Sequence, residues 1–375
     1  MKFTSLQENL KQGLQTVSHV VSKNINLPIL NNVLFRVAMG QVELVATNLE
    51  IGVIHRMRGK VEAEGDFTVD SRVIADYVNL LPSEKVSMEQ TDGELKVECE
   101  NYKTKIKIQP AQDFPLLPVV DRQKFYSVSL DAFKDALSQV IFAVANNETR
   151  LELSGVLMVF GKKSLTLVGT DSYRLAEKEI VIKSSDPEAE ELKVIVPAKT
   201  LQELVRILSS FKEEEQLEGD GDIKVFLSDN QILFTFGSTE LVSRLISGSY
   251  PDYKQIIPNN HKTQVAINKS ELVRAIKASA IFSKAGINDV NLEFRDGQVM
   301  VSAISSQVGE SAINLKGEIS GDDNDVLINY RYLLDGLNNI EDSQIKIEII
   351  NSNSPCILRP AKDNSYQYIV MPIRQ

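Results

Sequence analysis

The chain contains 375 residues, of which 43% are hydrophobic and 25% are charged, and its formal net charge is −10. These proportions are typical of a globular protein with well-formed cores, and no apolar run approaches the ~18 residues of a membrane-spanning helix. The acidic balance argues against simple adhesion to nucleic acid if the charge is evenly spread. The first residues lack the apolar core of a signal peptide, so we expect a cytoplasmic protein without a membrane partner.

The first third of the chain predicts a strand and a helix, a group of strands, and then a second helix followed by a hairpin. Apolar residues recur at helical spacing over 5–20, and three strands are predicted between 26 and 59. The second helix covers 71–80, and Asp92-Gly93 turns the hairpin that follows it. In the strand 103–108, apolar residues and a threonine alternate with three lysines, so one face is largely apolar and the other cationic.

This order of elements returns twice along the chain. The longer unit, strand–helix–strand–turn–strand, begins at Phe67, Val194 and Val326. A shorter strand–helix unit begins at Phe3, Tyr126 and Gln264. Successive copies of each unit begin about one third of the chain apart, whereas solenoid repeats are about 20–50 residues long. We therefore predict three copies of one domain, at 1–124, 125–254 and 255–375.

Six helices belong to these repeated units, and their composition differs from that of the rest of the chain. They are predicted at 5–20, 71–80, 129–142, 198–208, 268–282 and 329–338. Together they carry a small positive charge, so the acidic residues are concentrated elsewhere, in runs that we interpret as solvated loops because none has calcium-loop spacing. Cys99, Cys356 and the three histidines lack metal-ligand spacing, and we expect neither a metal nor a cofactor.

No known catalytic motif is present in the sequence. It contains no Walker A sequence, dinucleotide fingerprint, nucleophile elbow or zinc-protease motif. Asp171 and Arg174, within VGTDSYRLA, could form a catalytic site, but we favour a tight turn in which both side chains fix the neighbouring backbone. These features favour a binding or structural role. Two alternatives stay open: an enzyme with a triplicated domain and a site near Asp171, and a monomeric scaffold of the same fold.

Nine short motifs, in order along the whole chain, resemble those of the bacterial sliding clamps, the beta subunits of DNA polymerase III. They are MKFT (1–4), LPIL (27–30), TNLE (47–50), PAQDFPLLP (110–118), GTDSYRLA (169–176), VIVPAKTLQELVRIL (194–208), SYPDYKQIIP (249–258), YLLDGLNNI (332–340) and YIVMPIR (368–374). The resemblance implies an α+β fold of three clamp domains, the DNA clamp fold, with helices inside and antiparallel sheets outside. It implies a ring-shaped head-to-tail homodimer that encircles double-stranded DNA without sequence specificity.

The same resemblance implies a function and a set of partners. The chain would be a processivity factor of bacterial DNA replication and a non-catalytic accessory subunit. It would tether the DNA polymerase III alpha subunit, with its 3'-5' exonuclease, and would also bind the clamp loader and other proteins that carry a clamp-binding motif. Partners of the family insert a short peptide, with a Gln and a pair of hydrophobic residues, between the second and third domains.

The family positions that match this chain assign three groups of site residues. The partner-peptide site would comprise Leu153, Thr170, Ser172, Tyr173, Arg174, Leu175, Pro251, Ile256, Asn329, Tyr332, Ile369, Val370, Met371, Pro372, Ile373 and Arg374. The DNA contacts on family loops would be Lys23, Asn24 and Asn147. We add Lys199, Arg206, Arg274 and Lys277 as DNA contacts, because they lie on the polar sides of the repeated helices. The dimer interface would join Lys105, Ile106 and Ile108 to Ile281, Phe282 and an edge strand at 310–316.

The chain departs from the family pattern at several of these positions. Ser172-Tyr173 replaces a common Gly-His, and Gln255 stands where a familiar member has Arg. Lys23 replaces a loop arginine, and Leu151-Glu152 replaces an aromatic pair. We therefore expect the preferred peptide and the DNA contacts to differ in detail. An apolar C-terminal segment is itself unusual, and the alternative is that it forms an ordinary core strand.

Overall fold

The computed structural model describes residues 1–21, 26–38, 40–146, 149–210 and 221–374. The chain forms two compact units. The first unit comprises Met1–Leu130, Lys183–Glu188 and Lys199–Leu245, and the second comprises Asp131–Ile182, Ala189–Ala198 and Ile246–Gln375. The middle third therefore contributes to both units, and the three domain boundaries drawn from the sequence stay a prediction.

The helices of the described residues lie where the apolar periodicity predicts them. They are α1 (Gln7–Ser18), α2 (Ser71–Leu80), α3 (Leu130–Ile141), α4 (Ala198–Ser210), α5 (Lys269–Ser279) and α6 (Tyr330–Asn338). The side chains of Asp70, Asn268 and Asn329 cap α2, α5 and α6 by accepting backbone N–H groups of the first turn. The predicted helix 268–282 ends at Ser279 and continues as a 3-10 turn, Ala280–Phe282. Among all the described residues, no helix has the length and apolar composition that a membrane span requires.

The strands of the same residues are numbered in chain order. They are β1 (Lys2–Leu6), β2 (Asn32–Ala38), β3 (Gln41–Thr47), β4 (Ile51–Arg58), β5 (Lys60–Ala63), β6 (Gly65–Asp70), β7 (Lys85–Thr91), β8 (Glu94–Cys99), β9 (Tyr102–Gln109), β10 (Tyr126–Ser129), β11 (Gly155–Phe160), β12 (Ser164–Thr170), β13 (Arg174–Val181), β14 (Lys183–Ser184), β15 (Leu192–Pro197), β16 (Asp222–Ser228), β17 (Gln231–Phe236), β18 (Thr239–Arg244), β19 (Thr263–Asn268), β20 (Asp289–Arg295), β21 (Gln298–Ser305), β22 (Gly309–Lys316), β23 (Glu318–Gly321), β24 (Asn324–Asn329), β25 (Gln344–Ile349), β26 (Cys356–Pro360) and β27 (Tyr366–Val370).

The first unit contains one sheet of fourteen strands in the order β14-β10-β16-β17-β18-β4-β3-β2-β6-β9-β8-β7-β1-β5. The antiparallel pair β18–β4 joins strands that belong to two sequence repeats, with Val242 opposite Gly52. Alternation along each strand buries one row of apolar side chains, and the rings of Phe35 and Phe67 stack with centroids 4.9 Å apart. The backbone pairing across β18–β4 makes the two repeats one continuous sheet.

The second unit contains a nine-stranded sheet, β15-β11-β12-β13-β27-β26-β25-β19-β23, and a four-stranded sheet, β22-β21-β20-β24. The C-terminal strand β27 lies inside the larger sheet between β13 and β26, and all five of its residues are buried. The core-strand interpretation is therefore correct for Tyr366–Val370. Residues 371–374, which follow this strand, are at least partly exposed.

Candidate peptide-binding site

A preorganised turn connects β12 to β13. The Thr170 hydroxyl donates to the Arg174 carbonyl at 2.6 Å and accepts the Ser172 N–H at 3.2 Å. Asp171 Oδ1 accepts the N–H groups of Tyr173 (2.9 Å) and Arg174 (3.0 Å). Ser172 has a φ of 78°, which non-glycine residues adopt rarely, so these bonds stabilise an otherwise unfavourable backbone. The turn predicted from the sequence is confirmed, and it presents the Tyr173 side chain at the surface.

Arg174 anchors this turn to helix α6. Its Nε donates to Asp171 Oδ2 at 3.0 Å, its Nη1 to Asp335 Oδ2 at 2.5 Å and its Nη2 to the Phe142 carbonyl at 3.1 Å. The guanidinium also lies over the Tyr332 ring, 4.8 Å from the centroid. Burial disfavours the charge of Arg174, but the Tyr368 hydroxyl and the Asp335 and Asp171 carboxylates raise its pKa. These contacts make Arg174 a residue that positions the turn, as the sequence analysis expects.

The predicted site residues of β13 and β27 lie on the two faces of one sheet. Leu175 pairs with Ile369, and both pack in an apolar cluster with Leu157, Val168 and Tyr253. Arg174 pairs with Val370 on the opposite face. Strand alternation requires this division, because neighbouring residues point in opposite directions. The sixteen predicted residues therefore do not form one continuous lining.

Five of these residues are buried and supply structure below the surface. They are Leu153, Thr170, Leu175, Ile369 and Val370. The others are exposed or partly exposed: Ser172, Tyr173, Arg174, Pro251, Ile256, Asn329, Tyr332, Met371, Pro372, Ile373 and Arg374. Tyr173 is 63% exposed, and its ring stacks on that of Tyr332 with centroids 6.4 Å apart. Met371 donates its backbone N–H to the Tyr173 carbonyl at 2.9 Å, so the turn and the C-terminal segment meet.

Several residues of this region were not identified from the sequence. Asp335 and Phe142 hold Arg174, and the Tyr253 side chain completes the apolar cluster. Gln367 Nε2 donates a hydrogen bond to Glu177 Oε1 at 2.6 Å. One signal was available for Tyr253, because Asp252-Tyr253 repeats Asp113-Phe114 of the first linker. No sequence signal links Asp335 to an arginine 161 positions away.

The predicted DNA-contact residues differ in their surroundings. Lys199, Arg274 and Lys277 are exposed on α4 and α5. Arg206 is partly buried, since its guanidinium donates to Glu203 Oε1 at 2.6 Å and to the Thr16 carbonyl at 2.9 Å. Its charge is therefore already paired within the chain. Lys23, Asn24 and Asn147 lie outside the described residues.

The predicted interface residues lie on β9 in the first unit and beside β22 in the second. In the first unit, Ile106 and Ile108 are half-buried on β9, and Lys105 is exposed and paired with Glu94. In the second unit, Ile281 is 68% exposed, and Phe282 lies beside β22. Strand β22 ends the four-stranded sheet. Both strands show the same alternation of exposed and half-buried residues.

Comparison with known proteins places the whole chain in one family. Models of the DNA polymerase III beta subunit match in succession, with the N-terminal domain at 1–118, the central domain at 127–252 and the C-terminal domain at 254–374. The beta sliding clamp of Staphylococcus epidermidis is 27% identical, over 100% of this chain and 99% of its own length. That of Pseudomonas aeruginosa is 28% identical over 100% of both chains.

Solved structures agree with this assignment. The DNA polymerase III subunit beta from Pseudomonas aeruginosa has a TM-score of 0.92 at 28% identity and covers 100% of both chains. The beta subunit from Thermotoga maritima has a TM-score of 0.91 at 28% identity, and covers 100% of this chain and 99% of its own. The α+β clamp fold expected from the resemblance is confirmed. The chain belongs to the family of the DNA polymerase III beta subunit, the bacterial sliding clamp.

Proposed function

We propose that two copies of this chain close head to tail into a ring around duplex DNA and hold partner proteins at the surface beside Tyr173 and Met371. The chain is a processivity clamp of DNA replication and a non-catalytic subunit. The observation that carries this function is the succession of three beta-subunit domains along its whole length. Since such a clamp acts on the chromosome, we propose that it works in the bacterial cytoplasm.

Two unsatisfied sheet edges support ring closure. Among the described residues, strand β9 pairs with β8 along its length and with β6 only at Ile108 and Gln109, and β22 has one neighbour. An exposed strand edge can pair with a strand of another chain. Nearby apolar side chains are exposed on both units: Val73 and Leu80 on the first, and Ile281, Ile304 and Val308 on the second. Pairing of β9 with β22 of a second copy would cover both groups.

The exposed cations of α4 and α5 support non-specific contact with DNA. Lys199, Arg274 and Lys277 are exposed in the described structure, and lysine and arginine bind phosphates without reading the sequence of bases. Weak contacts suffice in a closed ring, because topology retains the DNA. We keep Lys23, Asn24 and Asn147 as candidates from the resemblance, and we expect Arg206 to contribute least.

The turn and the C-terminal segment support the peptide site. Tyr173 and Tyr332 present flat aromatic faces, and Met371 offers an adaptable side chain next to them. The DNA polymerase III alpha subunit with its exonuclease, the clamp loader and other motif-bearing proteins would bind there in turn. Asp171 is not a free catalytic base, because its two carboxylate oxygens accept hydrogen bonds from the turn and from Arg174.

A truncation experiment tests the proposed peptide site. Removal of residues 371–375 leaves β27 in place but takes away Met371 and the exposed segment beyond it. We expect a fluorescent peptide with a Gln and two bulky apolar residues, and without an acidic residue, to bind the full chain and to lose its affinity for the truncated chain. Light scattering should give the mass of a dimer for both proteins, which is twice 41.8 kDa for the full chain. Unchanged affinity after truncation would refute the site, and a mass of one chain in the untruncated protein would favour the monomeric scaffold.

A further inference from the structure

The turn that organises the peptide site occurs a second time, in the first unit. The Thr47 hydroxyl donates to the Ile51 carbonyl at 2.9 Å and accepts the Leu49 N–H at 3.0 Å. Asn48 Oδ1 accepts the N–H groups of Glu50 (3.0 Å) and Ile51 (2.8 Å). Leu49 has a φ of 76°, close to the 78° of Ser172. The two turns therefore share the same four hydrogen bonds and the same rare backbone conformation.

The strand beside each turn is also repeated. In the first unit, β18 pairs with β4 so that Ser243 faces Ile51, and the Arg244 N–H donates to the Glu50 carbonyl at 3.1 Å. In the second unit, β27 pairs with β13 so that Val370 faces Arg174, and Met371 makes the equivalent bond to Tyr173 at 2.9 Å. Arg244 thus occupies the position that Met371 has at the peptide site.

The linkers complete the repetition. After a short 3-10 turn, Phe114 is 6% exposed and packs against Leu34 and Val45. In the second unit, Tyr253 is 7% exposed and packs against Leu157 and Val168, which pair with each other as Leu34 and Val45 do. Each linker then crosses the same face of its sheet. The backbone frame of the peptide site is therefore present twice in the chain.

A cavity of about 230 Å³ lies within this frame in the first unit. Its floor contains Val242 and Leu117. A methyl group of Leu117 occupies the space beside Gly52, because it lies 2.6 Å from the position that a Cβ of residue 52 would take. The second unit has Leu175 at the position of Gly52, so both floors are apolar. Leu116 on the rim is 87% exposed and Leu49 is 45% exposed. Exposed apolar residues around a cavity indicate a site of interaction.

We propose that this cavity is a second docking site for an extended peptide segment of a partner protein. The volume suits one or two side chains, since drug-sized ligands take pockets of roughly 300–1,000 Å³. The floor selects a bulky apolar residue. The exposed Arg244, at the position equivalent to Met371, favours a segment with an acidic residue beside the apolar one. This inference rests on the proposed peptide site, whose frame it repeats.

A binding experiment on the full chain tests the proposal. The probe is a synthetic hexapeptide that begins with Gln and carries Asp before two bulky apolar residues, with a photo-crosslinker on one of them. We expect two sites per chain in the wild-type dimer and one site in the chain truncated after Val370. In the truncated chain, the remaining affinity should fall by about tenfold or more in Leu116→Asp and in Arg244→Glu. Crosslinks in the truncated chain should map to the linker at 115–118.

A matched control and the contrary outcomes separate the two sites. Val181 is 80% exposed on β13 and lines neither frame, so Val181→Asp should leave both affinities unchanged. Circular dichroism and dimer mass should show that each variant folds. A single site per chain that disappears on truncation would overturn the first-unit site and leave the proposed function intact. Binding that truncation does not alter would instead contradict the proposed peptide site in the second unit.

Discussion

His55 is a buried titratable residue in the first unit and illustrates how one side chain sets a pH response. Its Nδ1 lies 2.9 Å from the Thr239 hydroxyl across the β4–β18 pair, and its ring packs against Gly13. Burial lowers the pKa of His55 from 6.5 to about 4. The neutral ring is therefore the form that the folded protein holds, whereas the unfolded chain binds a proton below its ordinary pKa.

We predict that His55 makes the protein less stable in mild acid. The stability that the neutral His55 contributes is fully present above pH 6.5. As the pH falls toward 4, the free energy of unfolding decreases by about 3 kcal/mol, because the unfolded chain binds a proton that the folded chain does not. Urea unfolding at several pH values between 7 and 4 measures the effect. His55→Gln should flatten this part of the profile, whereas His261→Gln, at an exposed position, should leave it as in the wild type. Equal slopes in the wild type and His55→Gln would disprove the assignment.

Arg174 is the second residue whose environment decides its role. Removal of its guanidinium leaves Asp171 without its arginine partner and releases the turn from α6. We predict that Arg174→Ala lowers the free energy of unfolding by about 3 kcal/mol, because one partner of a largely buried ion pair is lost, and that it weakens peptide binding. Arg72→Ala is the matched control, since the Arg72–Asp76 pair is 80% and 72% exposed. A comparable loss of stability in both variants would argue against the anchoring role.

At the scale of elements, helices α4 and α5 carry the exposed cations that we assign to DNA. We predict that the triple change Lys199→Gln, Arg274→Gln and Lys277→Gln lowers the slope of log affinity against log salt by up to about one per residue. Fluorescence anisotropy with a duplex of random sequence measures this slope. Arg206→Gln should change it least, because the Glu203 carboxylate already pairs with that side chain. An unaltered slope in the triple variant would remove these helices from the DNA-facing surface.

The two edge strands, β9 and β22, are the elements on which we propose that assembly depends. Ile281 is 68% exposed in the single chain, and Phe282 lies against Gly309 at the start of β22. Ile106 and Ile108 supply half-buried side chains on β9. Each strand has an unpaired edge and exposed apolar side chains nearby. Such features normally pair with or pack against another chain. We therefore propose that these elements form the interface and that the turn with Tyr173 is not part of it.

At the scale of the whole molecule, we predict that the double change Ile281→Ala and Phe282→Ala converts the dimer to single chains at sub-micromolar concentration. The physical reason is that truncation of a buried Phe costs about 3–5 kcal/mol, and a closed ring contains this interface twice. Light scattering should report a change from twice 41.8 kDa to 41.8 kDa. Val181→Ala, at an exposed position outside the edges, should keep the mass of the dimer. A double variant that stays dimeric would place the interface elsewhere.

Much of the fold follows from local patterns in the sequence. Helix α2 is predicted at 71–80 and found at Ser71–Leu80, and the hairpin turn at Asp92-Gly93 joins β7 and β8. These elements depend on periodicity and turn chemistry within a few residues, which a single sequence displays. The turn at Asp171 is local in the same sense, and the threefold repetition is the return of such local patterns at intervals of about one third of the chain. Local patterns are therefore enough to predict the elements, their repetition and the backbone of the turn at Asp171.

Which side chains remain available to a partner depends on contacts between distant segments of the folded chain. Arg174 pairs with Asp335, and Arg206 donates to Thr16, although these partners lie 161 and 190 positions apart in the chain. The C-terminal strand is buried because β26 and β13 pair with its two edges. Contacts of this kind arise from the packing of distant segments, and composition and spacing carry no record of them. Availability for DNA or a peptide is therefore a property of the folded chain.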